Sequence, residues 1–128
     1  MRAVLWPSLY MALLFVLSSI PGTAAPEDGA VLKAFTWVPP TLQNFLHLPA
    51  YGLLAWLWLR PLTALPLGPK GIAGTAWILA MAYGVFDEWH QSWVPGRYPS
   101  ATDLAVDGLG ALTAVGLYLV LQPRRLTP

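Results

Sequence analysis

The acidic residues of this 128-residue chain are concentrated in one stretch, YGVFDEWHQSWVPGRYPSATDLAVDGLG, residues 83–110. Four of the six acidic side chains, Asp87, Glu88, Asp103 and Asp107, lie in it, together with His90, one of two histidines. Carboxylates and imidazoles in one place can hold a divalent metal that activates water, or can act as general acid and base. The metal-binding spacing His-Glu-x2-His, the P-loop and the Gly-x-Ser-x-Gly pattern are all absent from the sequence. The residue types therefore indicate a polar site without fixing its reaction.

The composition sets the environment of these charges. Hydrophobic residues make up 56% of the chain and charged residues 10%, whereas a soluble domain carries about a quarter charged residues. This predicts a membrane protein of one domain. The net charge of +1 provides no clustered basic surface, so no nucleic-acid partner is expected. The absence of cysteine excludes a disulfide framework, a thiol nucleophile and a Cys-ligated zinc site.

Four apolar segments, each close to the ~20 residues that a spanning helix needs, are the elements that must position the acidic groups. They predict an all-α, polytopic membrane protein with four transmembrane helices and short loops. The helices are expected at about 3–20, 42–60, 71–89 and 101–121 of a single domain 1–128, with prolines and glycines in the connections. A weaker pattern over residues 30–38 fits a short interfacial helix.

The first apolar segment has two interpretations. It fits a retained spanning helix, and it also resembles a signal peptide with cleavage after Ala25. Its apolar run over residues 3–20 is longer than the roughly 7 to 15 residues of a signal core. Both interpretations stay open on the sequence.

Lysine and arginine set the orientation of such a protein, because loops rich in them remain in the cytoplasm. With the N-terminus inside, Lys33 and Arg97 lie outside, and five basic residues lie inside: Arg2, Arg60, Lys70, Arg124 and Arg125. The opposite orientation inverts this five-to-two ratio. Both termini are therefore predicted to be cytoplasmic, with the loop between the third and fourth helices outside.

This topology brings polar groups from three helices to one level. Asp87 lies near the outer end of the third helix, and the second and fourth helices supply His47 and Asp107. At 1.5 Å per residue, Asp107 lies roughly 10 Å below Ser100, and His47 lies roughly 9 Å below Thr41. We therefore expect His47 and Asp107 to meet between the helices.

Local spacing places several polar residues on common helix faces, because residues four apart lie on one side of a helix. The pairs are His47 with Tyr51, Tyr83 with Asp87, and Asp103 with Asp107. Below Asp107 the same face continues with small residues, Gly110, Ala111 and Ala114, which let helices approach closely in lipid.

The connection between the third and fourth helices carries two local signals. The sequence VPGR fits a type II turn with Pro95 and Gly96 at its centre. The sequence SATD then fits a capping box, with Ser100 as N-cap and Asp103 three residues further on. A short, stiff connection is predicted.

These features resemble the VanZ-like family of small bacterial membrane proteins, named for a glycopeptide (teicoplanin) resistance protein. The resemblance covers nearly the whole chain. Upstream, HLPAY matches the family's His-x3-Tyr, and SSIPG resembles the residues that follow its first helix. Family members commonly carry Asp-Lys where this chain has Gln43 and Asn44, so an ion pair there would be replaced by neutral hydrogen bonding. The matching residues are Tyr83, Gly84, Asp87, Glu88, His90, Gln91, Val94, Pro95, Gly96, Arg97, Ser100, Asp103, Asp107 and Gly110.

The resemblance implies a protein of the bacterial inner membrane linked to the cell envelope, and it implies no particular reaction, metal or cofactor. The expected function is binding of an envelope lipid, a lipid-linked wall precursor or a glycopeptide by the outer polar cluster, with an effect on antibiotic susceptibility. The candidate binding residues are His47, Tyr51, Asp87, Glu88, His90, Gln91, Arg97, Ser100, Asp103 and Asp107.

Other interpretations of the cluster remain. One is a small intramembrane enzyme that uses a metal or acid–base chemistry on a lipid-linked substrate. Another is a proton- or ion-coupled carrier, which would have to oligomerise because four helices are few for transport. The simplest is that the polar groups only hold the helices together.

Overall fold

The computed structural model describes residues 2–23, 29–30 and 40–122, and these residues form four α-helices. They are α1 (Arg2–Ser18), α2 (Pro40–Leu62), α3 (Pro69–Gln91) and α4 (Ala101–Leu121). The all-α prediction is confirmed for the described residues. Residues 31–38 of the expected interfacial helix and the cleavage position at Ala25 lie outside that part of the chain.

The helix bounds follow the predicted ones closely, and the differences have local reasons. The bounds of α4 coincide with the prediction, whereas α1 ends at Ser18, two residues before the predicted end at Ile20. Both α2 and α3 begin at a proline, Pro40 and Pro69. Proline suits the first helical turn because its missing N–H would have no intrahelical acceptor there.

Membrane-spanning capacity differs among the helices. Within residues 2–23, 29–30 and 40–122, one helix, Ala101–Leu121, is long and apolar enough to cross a membrane, and Ala3–Ser18 is a shorter apolar helix. Both α2 and α3 have 23 residues, but polar residues such as His47 and Asp87 lie within them. Four spans therefore remain a prediction.

The packing places small residues inside and large apolar residues outside. Ala55, Ala76, Ala80 and Ala111 are completely buried in the core, next to Leu54. Large apolar side chains are exposed along all four helices, including Val16, Phe45, Ile78 and Leu112. Small core residues let helix backbones come close together, which is typical of bundles whose outer surface meets lipid.

The closest approach joins α2 and α4, which share the most extensive interface. A Cβ atom at Gly110 would overlap the carbonyl group of Leu48, and one at Gly52 would come within 3.1 Å of the Gly110 carbonyl oxygen. Gly110, Ala111 and Ala114 are all buried, so the predicted small-residue face of α4 is confirmed. This contact brings the middle of α2 against the middle of α4.

Helix α1 is attached to the other helices by two tyrosine hydroxyl groups and by its C-terminal extension. Tyr10 donates to the Ala50 carbonyl oxygen of α2 at 3.3 Å, and Tyr83 of α3 donates to the Met11 carbonyl oxygen at 2.6 Å. Beyond the helix, the Gly22 N–H donates to the Pro95 carbonyl oxygen at 3.0 Å. The end of α1 therefore lies beside the α3–α4 connection.

Candidate functional site

The central contact of the site joins α2 to α4. The His47 Nδ1 atom lies 2.9 Å from Oδ1 of Asp107, which is completely buried, while His47 retains a partly exposed edge. The His47 ring stacks on Tyr51 with centroids 5.9 Å apart and an interplanar angle of 8°. The predicted meeting of His47 with Asp107 and the shared face of His47 with Tyr51 are both found.

Four carboxyl groups lie buried around this contact, with relative exposures of 3% for Asp87, 8% for Glu88, 8% for Asp103 and 0% for Asp107. One oxygen of each has no hydrogen-bond partner among the described residues: Asp87 Oδ1, Glu88 Oε1, Asp103 Oδ1 and Asp107 Oδ2. A buried polar atom without a partner is costly. We call these four carboxyl groups, together with His47, the acidic cluster. A ligand bound there would supply partners for the carboxyl oxygens that lack hydrogen bonds.

Glycine allows the two acidic helices to come together at the cluster. A Cβ atom at Gly84 of α3 would lie 3.2 Å from Oδ2 of Asp107 and 3.3 Å from a ring carbon of Tyr51. Both distances are tighter than most side-chain contacts, so a larger residue there would displace Asp107 or Tyr51. The unpartnered oxygen of Asp107 thus points towards α3.

The connection between α3 and α4 holds Glu88 in place. The Ser100 hydroxyl oxygen accepts hydrogen bonds from the N–H groups of Thr102 and Asp103, which confirms its predicted role as N-cap. The Ser100 N–H, which a capping box would direct to Asp103, instead donates to Glu88 Oε2 at 2.7 Å. This half of the prediction is corrected: Glu88 lies close enough in space to supply the carboxylate, which leaves Asp103 buried beside the cluster.

The predicted turn before this cap is also present. Gly96 has φ +73°, and the Arg97 N–H donates to the Val94 carbonyl oxygen at 3.1 Å. Both features fit a type II turn with glycine at its third position. A Cβ at Gly96 would come within 2.8 Å of the Thr23 nitrogen, so the turn also needs glycine because the extension of α1 packs against it.

Asp87 and Gln91 form a second buried pair, one helical turn apart. Gln91 donates from Nε2 to Asp87 Oδ2 at 2.9 Å. Tyr51 is buried near them, and its hydroxyl has no hydrogen-bond partner within the part of the chain that the structure describes. These groups continue the polar surface from the acidic cluster towards α1.

His90 lies apart from the acidic cluster, although it belongs to the same helix as Glu88. Its ring packs on Phe15 with centroids 4.3 Å apart, and its Nδ1 lies 3.4 Å from the Ser18 hydroxyl oxygen. The structure therefore places His90 in the contact with α1. Among the ten candidate residues, His90 is one that the fold directs away from the carboxyl groups and towards Phe15.

A partly open cavity of about 240 Å³ lies beside the cluster. Its apolar wall comes from Leu14, Leu17 and Ile20 of the α1 region and from Leu46 and Ala50 of α2. The polar residues that line it are His47, Tyr51, Asp87, Gln91 and Arg97. Arg97 is half-buried at this edge and donates from Nε to the Ile20 carbonyl oxygen at 3.3 Å.

Sequence reasoning did not anticipate the contribution of α1. Leu14, Leu17 and Ser18 line the cavity, but in the sequence they are ordinary members of an apolar helix. Tyr10 and Tyr83, which stand within apolar helices, were the signal in the sequence for contacts between α1 and the other helices. A buried tyrosine hydroxyl generally requires a hydrogen-bond partner. Gly84, matched to the family motif, acquires its role only through the approach of Asp107.

Three of the described residues could hold a metal ion. One ligand atom from each of His47, Glu88 and Asp107 lies within 4.8 Å of the other two. This spacing would allow all three to contact one ion.

The fold and the site define a class: a small helical bundle with carboxyl groups buried between its helices and an amphipathic cavity next to them. The chain belongs to the VanZ/LLP1 family, whose family model matches residues 4–122. The match covers nearly the whole chain and confirms the resemblance seen in the sequence motifs. Comparisons with curated proteins and with solved structures gave no match.

Proposed function

We propose that this VanZ-like protein is an integral, four-span protein of the bacterial inner membrane that binds an amphiphilic envelope molecule in the cavity between α1 and the other helices. The large apolar side chains exposed along all four helices support the four spans, because a water-soluble protein rarely exposes so much apolar surface. The carboxyl groups face the bundle interior, as intramembrane ionisable groups do.

The basic residues support one orientation. Arg60 and Lys70, at the α2–α3 connection, lie at the opposite end of the bundle from Arg97. With the α2–α3 connection in the cytoplasm, the acidic cluster and the cavity lie towards the outer surface. In this orientation the cavity faces the compartment in which cell-wall precursors are used.

The cavity is the observation that carries the binding proposal. Its lining combines leucine and isoleucine side chains with the polar groups of His47, Asp87, Gln91 and Arg97. Such a surface suits a molecule with an apolar chain and a polar head group, since sites of this kind combine apolar contacts with a few polar groups that fix orientation. Arg97 offers planar donors for a phosphate or carboxylate oxygen.

The size of the cavity favours a lipid-linked wall precursor over a glycopeptide as the bound molecule. Its volume of about 240 Å³ is below the roughly 300–1,000 Å³ of sites that enclose drug-sized ligands. A section of an acyl or isoprenoid chain fits such a space, whereas a glycopeptide is far larger. An effect on glycopeptide susceptibility would then arise through the precursor rather than through direct capture of the drug.

The binding proposal is tested on the purified full chain in detergent with a long-chain isoprenyl diphosphate, using native mass spectrometry. We expect one molecule to be retained per protein chain. Ala50→Phe, which places a ring in the cavity, should abolish retention. Ala82→Phe is the matched control, because Ala82 lies on the exposed side of α3 and the same ring there should leave retention unchanged.

Two outcomes would contradict the proposal. One is that the wild-type protein retains no isoprenyl diphosphate, and the other is that Ala50→Phe and Ala82→Phe retain it equally. Teicoplanin is measured alone in parallel. Retention of teicoplanin without retention of the isoprenyl diphosphate would favour direct binding of the drug.

The contact between His47 and Asp107 supports a second candidate function, acid–base catalysis on the bound molecule. A carboxylate that orients an imidazole is a common arrangement for proton transfer, and His47 also lines the cavity. In such a reaction His47 would take a proton from a water molecule that attacks the terminal phosphorus of the isoprenyl diphosphate, and the bond to the bridging oxygen would break. Incubation should then release inorganic phosphate and leave the isoprenyl monophosphate, and His47→Gln should stop the release. Unchanged substrate after prolonged incubation with the wild-type protein would leave binding as the function.

A further inference from the structure

We propose that His47, Glu88 and Asp107 form a binding site for a divalent metal ion of the Mn²⁺ or Zn²⁺ class. This site is separate from the amphiphile proposed above, because Glu88 and Asp107 do not line the cavity. The three residues come from α2, α3 and α4, so the ion would join three helices at one point.

The spacing of the three ligands fits one ion. A ligand atom from each residue lies within 4.8 Å of the other two. Ligands about 2.1 Å from a metal are separated by about 3.0 Å when adjacent in an octahedron and by about 4.2 Å when opposite. Small adjustments of the side chains would bring all three ligand atoms into this range.

Unpartnered oxygens of the same residues provide an independent reason. Asp107 is completely buried and Glu88 is 8% exposed, yet Asp107 Oδ2 and Glu88 Oε1 find no partner within the described part of the chain. Two further buried carboxyl groups, Asp87 and Asp103, adjoin them. Grouping of carboxylates away from water is costly without a compensating positive charge, and a divalent ion would supply that charge and coordinate the free oxygens.

The surrounding structure holds two of the proposed ligands in fixed positions. The Ser100 N–H donates to Glu88 Oε2, which orients this carboxylate and leaves its other oxygen available. Gly84 allows Asp107 Oδ2 to face α3. Metal sites depend on such supporting contacts, because they fix the ligands before the ion arrives.

The types of ligand indicate the kind of metal. Imidazole nitrogen suits Zn²⁺ and other transition metals, and carboxylate oxygen suits Mn²⁺ and Mg²⁺. One histidine with two carboxylates therefore indicates an ion that accepts both kinds of ligand, such as Mn²⁺ or Zn²⁺. The chain has no cysteine, and a thiolate site for soft metals is therefore excluded. Because His47 also borders the cavity, the ion would add positive charge next to the position proposed for an anionic head group.

The metal proposal is tested on the purified full chain in detergent, without added lipid, by equilibrium dialysis against MnCl₂ or ZnCl₂ and metal counting. We expect one ion per chain for the wild-type protein. His47→Gln and Glu88→Gln should each weaken binding by at least about tenfold. The matched control is His90→Gln, since His90 packs on Phe15 and its removal should leave the metal affinity unchanged.

A spectroscopic measurement on the wild-type protein does not depend on the folding of any variant. Pulsed electron paramagnetic resonance of bound Mn²⁺ should show coupling to an imidazole nitrogen. The proposal is overturned if the wild-type protein binds neither ion at millimolar concentration, if bound Mn²⁺ shows no nitrogen coupling, or if His47→Gln and His90→Gln lose the metal equally. None of these outcomes bears on retention of the isoprenyl diphosphate, so the two proposals fail separately.

Discussion

Gly110→Ala should destabilise the protein because it forces α2 away from α4. A Cβ atom at Gly110 would overlap the Leu48 carbonyl group, which belongs to the backbone of α2 and cannot rotate away. An ordinary contact needs at least 3.4 Å, so the helices must separate by on the order of 1 Å. The same movement would lengthen the 2.9 Å contact between His47 and Asp107 to about 3.9 Å, beyond hydrogen-bond range.

The size of the effect follows from two opposing contributions. Overpacking against a rigid neighbour costs about 3 kcal/mol, at the upper end of the usual range. Replacing a helical glycine by alanine returns about 1 kcal/mol through helix propensity. The net loss of about 2 kcal/mol corresponds to a melting temperature lowered by roughly 8 °C for a chain of this length.

Gly116→Ala is the matched control, because Gly116 lies in the same helix with open space around its Cβ position. There only the propensity contribution applies, and the melting temperature should rise by up to about 4 °C. Thermal unfolding of the two variants in the same detergent can be followed through the fluorescence of the seven tryptophans. Equal melting temperatures for the two variants would refute the close approach of α2 and α4.

Three further changes test other parts of the structure. Gly96→Ala should lower stability by at least about 1–2 kcal/mol, because φ +73° is unfavourable for a residue with a Cβ and the added Cβ would also crowd the Thr23 nitrogen. Unchanged thermal unfolding would argue against the turn. His47→Ala should lower the free energy of unfolding by about 3–5 kcal/mol, because it leaves the buried Asp107 carboxyl group unpaired. His90→Ala should lower it clearly less, since the polar contact of His90 with Ser18 is long, at 3.4 Å. Similar losses of stability in the two variants would contradict the environments assigned to these histidines. Tyr98→Cys, at a position that is 83% exposed, should react with an impermeant maleimide in intact cells, and labelling only after cell opening would reverse the proposed orientation.

The sequence alone determined the helices and the local structure at their ends. Apolar runs of suitable length, interrupted by proline and glycine, fixed the number and approximate bounds of the described helices. Ser100 and Gly96 identified the cap and the turn, because both depend on contacts within a few residues. The four-residue spacing of His47 and Tyr51 also placed them correctly on one face.

The tertiary structure decided which polar groups meet. Spacing along a helix fixes the face on which a residue lies, but the rotation of that face and the distance to the next helix depend on packing between distant residues. The contact of Gly110 with Leu48 sets this distance and brings Asp107 to His47. The same long-range packing directs Glu88 to the N–H of Ser100 in place of Asp103, and turns His90 towards Phe15. The same packing makes α1 part of the cavity lining. The apolar sequence of a helix does not show which other helix or cavity its side chains will face.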